Sequence, residues 1–198
     1  MDKSQQISRW AFAATIAVGL IVGLLSAWWS ITGGMGGQSY SGWYGSSVTG
    51  SRDAGPWLRA RVAISGLLAL NKSQAIYFTR KTDEAGDPLR EECSYGVTGG
   101  VLPGQWWSVT VYAADNYLPV NDDDALSFDA TEVTSNEAGR WSAMLAPTRP
   151  EGTAWASTRK AGNFDITLRI YQPSAAAQAD FATIPMPKVT KLTCGDKL

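Results

Sequence analysis

The 198-residue chain contains no histidine. That absence removes Ser-His and Cys-His nucleophile systems, the usual zinc triads, His-ligated haem, Rieske clusters and the commonest general base near neutral pH. Charge is sparse, at 18% of residues, and nearly balanced, with 17 basic against 18 acidic side chains. Such a balance supplies no basic field for nucleic acid and no strong pull toward anionic lipid. Nucleophile elbow, phosphate-binding Gly loop and dinucleotide fingerprint are all missing. The run GMGGQS that starts at Gly34 has neither a strand before it nor a helix after it. No catalytic residue, cofactor-binding residue or metal ligand is assigned, no cofactor is expected, and the chain reads as a non-enzyme.

What the sequence has in quantity is one apolar run. Residues 10–31, WAFAATIAVGLIVGLLSAWWSI, carry no charge. About 20 apolar residues are what a helix needs to cross the hydrocarbon core, whereas the apolar region of a cleavable signal is about 7–15 residues long and is followed by small residues. Bulky Trp28 and Trp29 occupy that place, so the run is expected to be an uncleaved anchor with Trp10 at one interface and the Trp pair at the other. Lys3 and Arg9 precede it, while residues 32–51 hold no Lys or Arg. The N-terminus is therefore expected in the cytoplasm of a bacterium and the rest in the periplasm. Ala11, Thr15, Gly19, Gly23 and Ala27 recur one helical turn apart. Small-xxx-small stripes let helix backbones approach closely in lipid, so these five are the candidate helix-packing residues.

Removing Lys3, Arg9 and Asp2 leaves the exported part with 15 basic and 17 acidic residues, enough chain for one domain. Residues 32–55 are Gly- and Ser-rich and read as a connector, although Tyr40, Trp43 and Tyr44 argue that its second half lies on the domain surface. Residues 56–198 form the domain. Pro56 opens an expected helix whose apolar face runs through Leu58, Val62, Leu67 and Leu68 to about Leu70 and covers one end of a sheet. The period then changes to two. Segments 75–81, 92–98, 106–113, 126–131, 141–145 and 164–171 are short, β-branched or aromatic, and separated by Gly, Pro, Asp or Asn. They predict a mostly β fold: an antiparallel β-sandwich or jelly roll with one or two short helices, preceded by a single transmembrane helix. Residues 83–88 read as a hairpin connection between the first two strands, and 174–181 as a helical turn or two.

The words LLALNKSQAIYFTRKTDEAGDPL, LPGQWWSVTVYAADNYLPVN and FDITLRIYQP, followed by a Pro-rich ending, occur in that order. Over about residues 43–192 the chain resembles the bacterial family called domain of unknown function 1214. In that family the domain commonly follows another uncharacterised domain, and here a membrane anchor takes that neighbour's place. The resemblance implies a mostly β, jelly-roll-like fold and no established reaction.

The remaining chemistry is acidic and aromatic. Asp115 and the run Asp122, Asp123 and Asp124 offer oxygen ligands for calcium or paired carboxylates for glycoside hydrolysis, but lack the alternation and Gly of an EF-hand loop, and a solvated turn is the plainer reading. Trp43, Trp106, Trp107, Trp141 and Trp155, with Tyr112 and Tyr117, are candidate interface or ligand aromatics. An exposed coplanar pair would favour sugar, and rings in a core or against another chain would favour assembly. Cys93 and Cys194 are expected to be bonded in an oxidising compartment. Together these expectations describe an accessory subunit of an inner-membrane complex, photosynthetic or respiratory. Its partners would be other membrane-protein subunits and the lipid bilayer, with no nucleic acid. A glycan- or small-ligand-binding module and a carboxylate-dependent hydrolase or lyase are the alternatives.

Overall fold

The structure is a computed structural model that describes residues 3–32, 37–64, 67 and 69–195. Asp2, residues 33–36 of the connector and Leu68 of the expected helix face lie outside the described residues. The chain divides into two units, Met1–Met35 and Gly36–Leu198.

The first unit is a helix, α1 (Lys3–Thr32). Its stretch Arg9–Ser30 is long and apolar enough to cross a membrane. Hydroxyls within it are satisfied locally: Thr15 Oγ1 donates to Ala11 O at 2.9 Å, and Ser26 Oγ to Gly23 O at 3.0 Å.

The second unit is a mostly β sandwich. One sheet has six strands in the order β1 (Gln38–Tyr40), β2 (Trp43–Gly45), β3 (Ala75–Arg80), β9 (Phe164–Tyr171), β5 (Trp106–Ala113) and β6 (Ser127–Asp129). The other has four, β10 (Lys188–Cys194), β4 (Cys93–Gly99), β7 (Trp141–Ala146) and β8 (Ala154–Ser157). Alternation places one set of side chains from each sheet between them. Phe78, Val109, Val111, Leu168 and Ile170 from the larger sheet meet Tyr95, Val97, Leu145 and Val189 from the smaller, all essentially without solvent access. Each such burial stabilises the fold by about 1.5–3 kcal/mol.

Several expectations are corrected by the fold. The domain begins earlier than residue 56, because Trp43 turns inward and its strand pairs with β3, so part of the expected connector is sheet. The helix opened by Pro56, α2 (Pro56–Ile64), stops short of Leu70 and contains no buried residue, so it does not cover the core. The turn at 83–88 is tight, with Gly86 at φ +89° and a bridge between Thr82 and Pro88. The strands on either side nevertheless enter different sheets, so β3 and β4 are not a hairpin. Pairing is antiparallel except between β7 and β8, which run parallel. The Pro-rich tail ends in a full strand, β10, which the sequence reading missed because KVTKLTC has only one deeply buried side chain, Val189. Between β9 and β10 lie α3 (Ala175–Ala179), capped by Ser174 Oγ, and a 3₁₀ turn at Phe181–Thr183.

Cys93 and Cys194 are directly opposed across the β4–β10 ladder and form a disulfide. Their separation of 101 residues corresponds to about 4–5 kcal/mol of lost unfolded-state entropy in the chain-entropy model. Replacing both by Ala should therefore lower the unfolding free energy by about 4 kcal/mol and free the tail to fray first. Denaturant titration of both proteins, with limited proteolysis of the C-terminus, checks this.

Candidate functional site

The candidate aromatics divide sharply. Trp43, Trp107, Trp141 and Trp155 are buried at 0%, 7%, 4% and 8% exposure, which removes them from the set of surface ligand or interface residues. The physical reason is visible in their N–H groups. Trp43 Nε1 donates to Pro187 O at 2.7 Å, Trp141 Nε1 to Gly100 O at 2.8 Å, and Trp155 Nε1 to Ala146 O at 2.9 Å. A coplanar pair does exist, Trp107 stacked on Trp141 with centroids 4.4 Å apart and planes at 26°, but it joins the two sheets inside the core. Trp106 alone of the five is half-exposed, and its ring meets Tyr171 at 5.1 Å with planes tilted by 48°.

The acidic run is also occupied. Arg159 grips Asp123 with two bonds, Nε to Oδ2 at 2.9 Å and Nη2 to Oδ1 at 2.6 Å, and Ser157 Oγ donates to Oδ2 at 2.6 Å. Those donors, Arg159 first and Ser157 second, hold the Asp123 carboxyl below the usual carboxylate range. Asp122 and Asp124 are exposed, and Asp115 Oδ1 accepts from the Tyr117 N–H in a local turn. Asp123 and Asp124 border an open groove of ≈ 560 Å³ shared with Glu132, Arg149 and Trp155. Among the described residues no group of three or more His, Cys, Asp or Glu is placed to hold a metal ion.

The organised polar surface lies elsewhere, on the outer face of the six-stranded sheet. The strand register lines it up in rows. Tyr44, Thr79, Thr167, Thr110 and Ser127 form one row across five strands. Tyr77, Arg169, Ser108 and Asp129 form the next, and Ala75, Tyr171 and Trp106 a third. Arg169 ties the rows together: Nη1 donates to Thr110 Oγ1 at 3.0 Å, Nη2 to Tyr112 Oη at 2.6 Å, and its guanidinium lies 5.4 Å from the Tyr112 ring centre. Thr79 and Thr167 share a hydroxyl bond of 3.2 Å. At one end of the face Asp165 stands directly opposite Tyr112. Its residue exposure is only 8%, and Lys81 Nζ, 3.8 Å away, is its ion-pair partner. Burial pushes the Asp165 carboxyl up to about 6 against the opposing pull of Lys81.

This face was overlooked in the sequence although its signal was present. In β5 and β9 the alternate positions Trp106, Ser108, Thr110 and Tyr112, and Asp165, Thr167, Arg169 and Tyr171, are polar or amphipathic. Read with period two, they separate cleanly from the aliphatic set that forms the core.

The five small residues all lie within α1, and beyond that helix's own backbone an added Cβ at Gly19 or Gly23 would meet no atom of the described residues within 4 Å. Four-residue spacing draws an inclined ridge along a helix, the geometry of close right-handed crossings in lipid.

An apolar helix followed by a disulfide-bonded β-sandwich defines the general class of the protein. Residues 74–175 match the family described as "Protein of unknown function (DUF1214)", and the chain belongs to that family. No curated protein matches the sequence. Among solved structures, the crystal structure of the VPA0106 protein from Vibrio parahaemolyticus is similar at a TM-score of 0.58 and 20% identity, over 71% of this chain and 36% of that one. An uncharacterised protein from Burkholderia cenocepacia is similar at a TM-score of 0.40 and 17% identity, over 63% and 31% of the two chains. The chain thus spans about a third of the length of these relatives.

Asp165 binds its proton more tightly in the folded chain than at its ordinary value of 3.8. Stability is therefore lost as pH rises from about 4 through about 6. Asp165→Asn should stabilise the protein at pH 7 by on the order of 2 kcal/mol and by little below pH 4. Thermal unfolding of the detergent-solubilised full chain between pH 4 and pH 8 measures the gap, and a gap independent of pH would contradict the assignment.

Proposed function

We propose that the protein is a non-catalytic accessory subunit of an inner-membrane complex, photosynthetic or respiratory in kind. In this reading α1 is the anchor, with its N-terminus in the cytoplasm. The sandwich lies in the periplasm and packs on partner subunits. The observation that carries the reading is the outer face of the six-stranded sheet. Half-exposed Tyr, Trp and Arg side chains, fixed by cross-strand bonds, are the residue types that anchor protein interfaces. Their order lowers the entropy cost of association, because Arg169 and Tyr112 are already held in one arrangement. The disulfide supports an oxidising compartment, and the small-residue ridge of α1 supports helix contacts in the bilayer. The tilt between Trp106 and Tyr171 and the burial of the coplanar Trp pair weigh against a sugar-stacking platform. The engagement of Asp123 by Arg159 weighs against a hydrolytic carboxylate pair in the acidic run.

Mild-detergent extraction from the native host followed by mass spectrometry of co-purifying subunits tests the reading. Trp106→Ala combined with Arg169→Ala should reduce recovery of partners by at least about tenfold, the scale of a truncated interface anchor. A far-UV spectrum like that of the parent would show the fold intact. Gly19→Leu with Gly23→Leu should leave membrane insertion unchanged and weaken partner recovery by forcing helix backbones apart. Recovery as a lone monomer from every gentle detergent would defeat the proposal.

A further inference from the structure

We propose that α2 (Pro56–Ile64), in the excursion between β2 and β3, is a second membrane contact and lies on the lipid surface. The inference rests on α1 spanning the bilayer and is independent of any partner subunit.

The first observation is exposure. Outside α1, ten large hydrophobic side chains are exposed among the described residues, and four of them, Val48, Trp57, Ile64 and Leu70, fall in the excursion between β2 and β3. Trp57 and Ile64 are 52% and 58% exposed and stand seven residues apart, on one side of α2. Ala60 lies between them on that side and is half-buried, as are Leu58, Arg61 and Val62. Trp57 and Ile64 thus expose about half of their surface on a helix that has no buried residue.

The second observation is that this is a built segment. Gly50, at φ +72°, packs so closely on Leu70 that a Cβ would fall 2.1 Å from Leu70 O. The Leu70 N–H donates to Tyr77 Oη at 3.0 Å, which pins the far end to the sheet. Arg59 closes the middle, Nε to Ala54 O and Nη2 to Arg52 O, each at 2.8 Å. The apolar side chains are thus held outward by a fixed frame.

Chain length and charge commit the occupant to lipid. Five residues separate Thr32 at the end of α1 from Gln38 at the start of β1. A chain of that length reaches at most about 20 Å. Gln38 is the register partner of Gly45, and the excursion begins at the very next residue, so its root lies within about one strand spacing of Gln38. Residues 46–74 hold Arg52, Arg59, Arg61 and Lys72 against one acid, Asp53. The near-neutral total of the domain conceals this local excess. Exposed Trp and Ile beside arginines match an interfacial helix on an anionic bilayer, and close tethering supplies the high effective concentration that a short helix needs.

Spin labels decide the matter on the full-length protein in vesicles of phosphatidylethanolamine and phosphatidylglycerol. Labels are placed singly at Ala63→Cys on α2, at Glu137→Cys in an exposed turn, and at Ile21→Cys in α1 on the side away from the small-residue stripe, with the native disulfide kept oxidised. The ratio of oxygen to aqueous nickel accessibility at Ala63 should exceed that at Glu137 by at least about threefold, as for a site at the headgroup boundary. Adding Ile64→Asp should abolish that excess while leaving the Ile21 reading unchanged. A water-like ratio at Ala63 with a lipid-like ratio at Ile21 would overturn the inference and leave the anchor standing. A water-like ratio at Ile21 would overturn the anchor itself. Dipolar broadening at Ala63 would assign the face to a second copy of the chain and also overturn lipid contact.

Discussion

A buried indole is useful to a core only if its N–H finds an acceptor, and this domain meets that demand three times over. Trp43, Trp141 and Trp155 each donate to a backbone carbonyl, of Pro187, Gly100 and Ala146 respectively. Left unpaired, each would cost about 1–3 kcal/mol. The bonds also do topological work. Trp43 stands near the beginning of the domain and Pro187 just before its last strand, 144 residues later, so one indole ties the first sheet to the chain that enters the second. Trp141 places its ring against Trp107, and that stack fills the gap between β7 of one sheet and β5 of the other. Gly99 must be glycine there, since a Cβ would lie 2.3 Å from the Trp141 ring.

The long central strands were legible in the sequence because they obey a strict period. β5 and β9 occupy the expected residues, and β3, β4 and β7 differ by a residue or so at their ends. The elements that escaped notice are short or are defined by partners distant in sequence. β8 reads AWAS, four residues too short to show a period, and it pairs parallel to β7 after a turn marked by Pro147, Pro150 and Gly152. The hairpin of β1 and β2 sits in a Gly- and Ser-rich stretch where composition resembles a tether, and only the inward Trp43 distinguishes it. The expected helix face failed for a related reason. Apolar periodicity shows that one side of a helix avoids water, and it does not say whether protein or another phase covers it.

The surface candidates show a different limit. Tryptophan count alone pointed to the five indoles, yet burial separates four of them from Trp106. Alternation in β5 and β9 already marks the polar face, and register then sets Arg169 beside Ser108 and Asp165 beside Tyr112. Sequence supplies the alternation, and pairing supplies the neighbours. One strand, β9, serves both purposes: Ile166, Leu168 and Ile170 close the core while Asp165, Thr167 and Arg169 organise the exterior. A one-residue slip of that strand would exchange the two sets, so core and face specify the same register.

The disulfide makes the chain a lasso. Everything from Cys93 to Cys194, seven of the ten strands, lies inside one covalent ring, while α1, β1, β2 and β3 form the tail of the noose. A single cut in an exposed loop of the ring, such as the turn around Tyr117, would leave its two pieces bonded to each other. A single cut between β2 and β3 would instead sever the covalent path to α1. The sheet would then be held to the short hairpin by the pairing of Tyr44 and Gly45 with β3 and by the indole of Trp43.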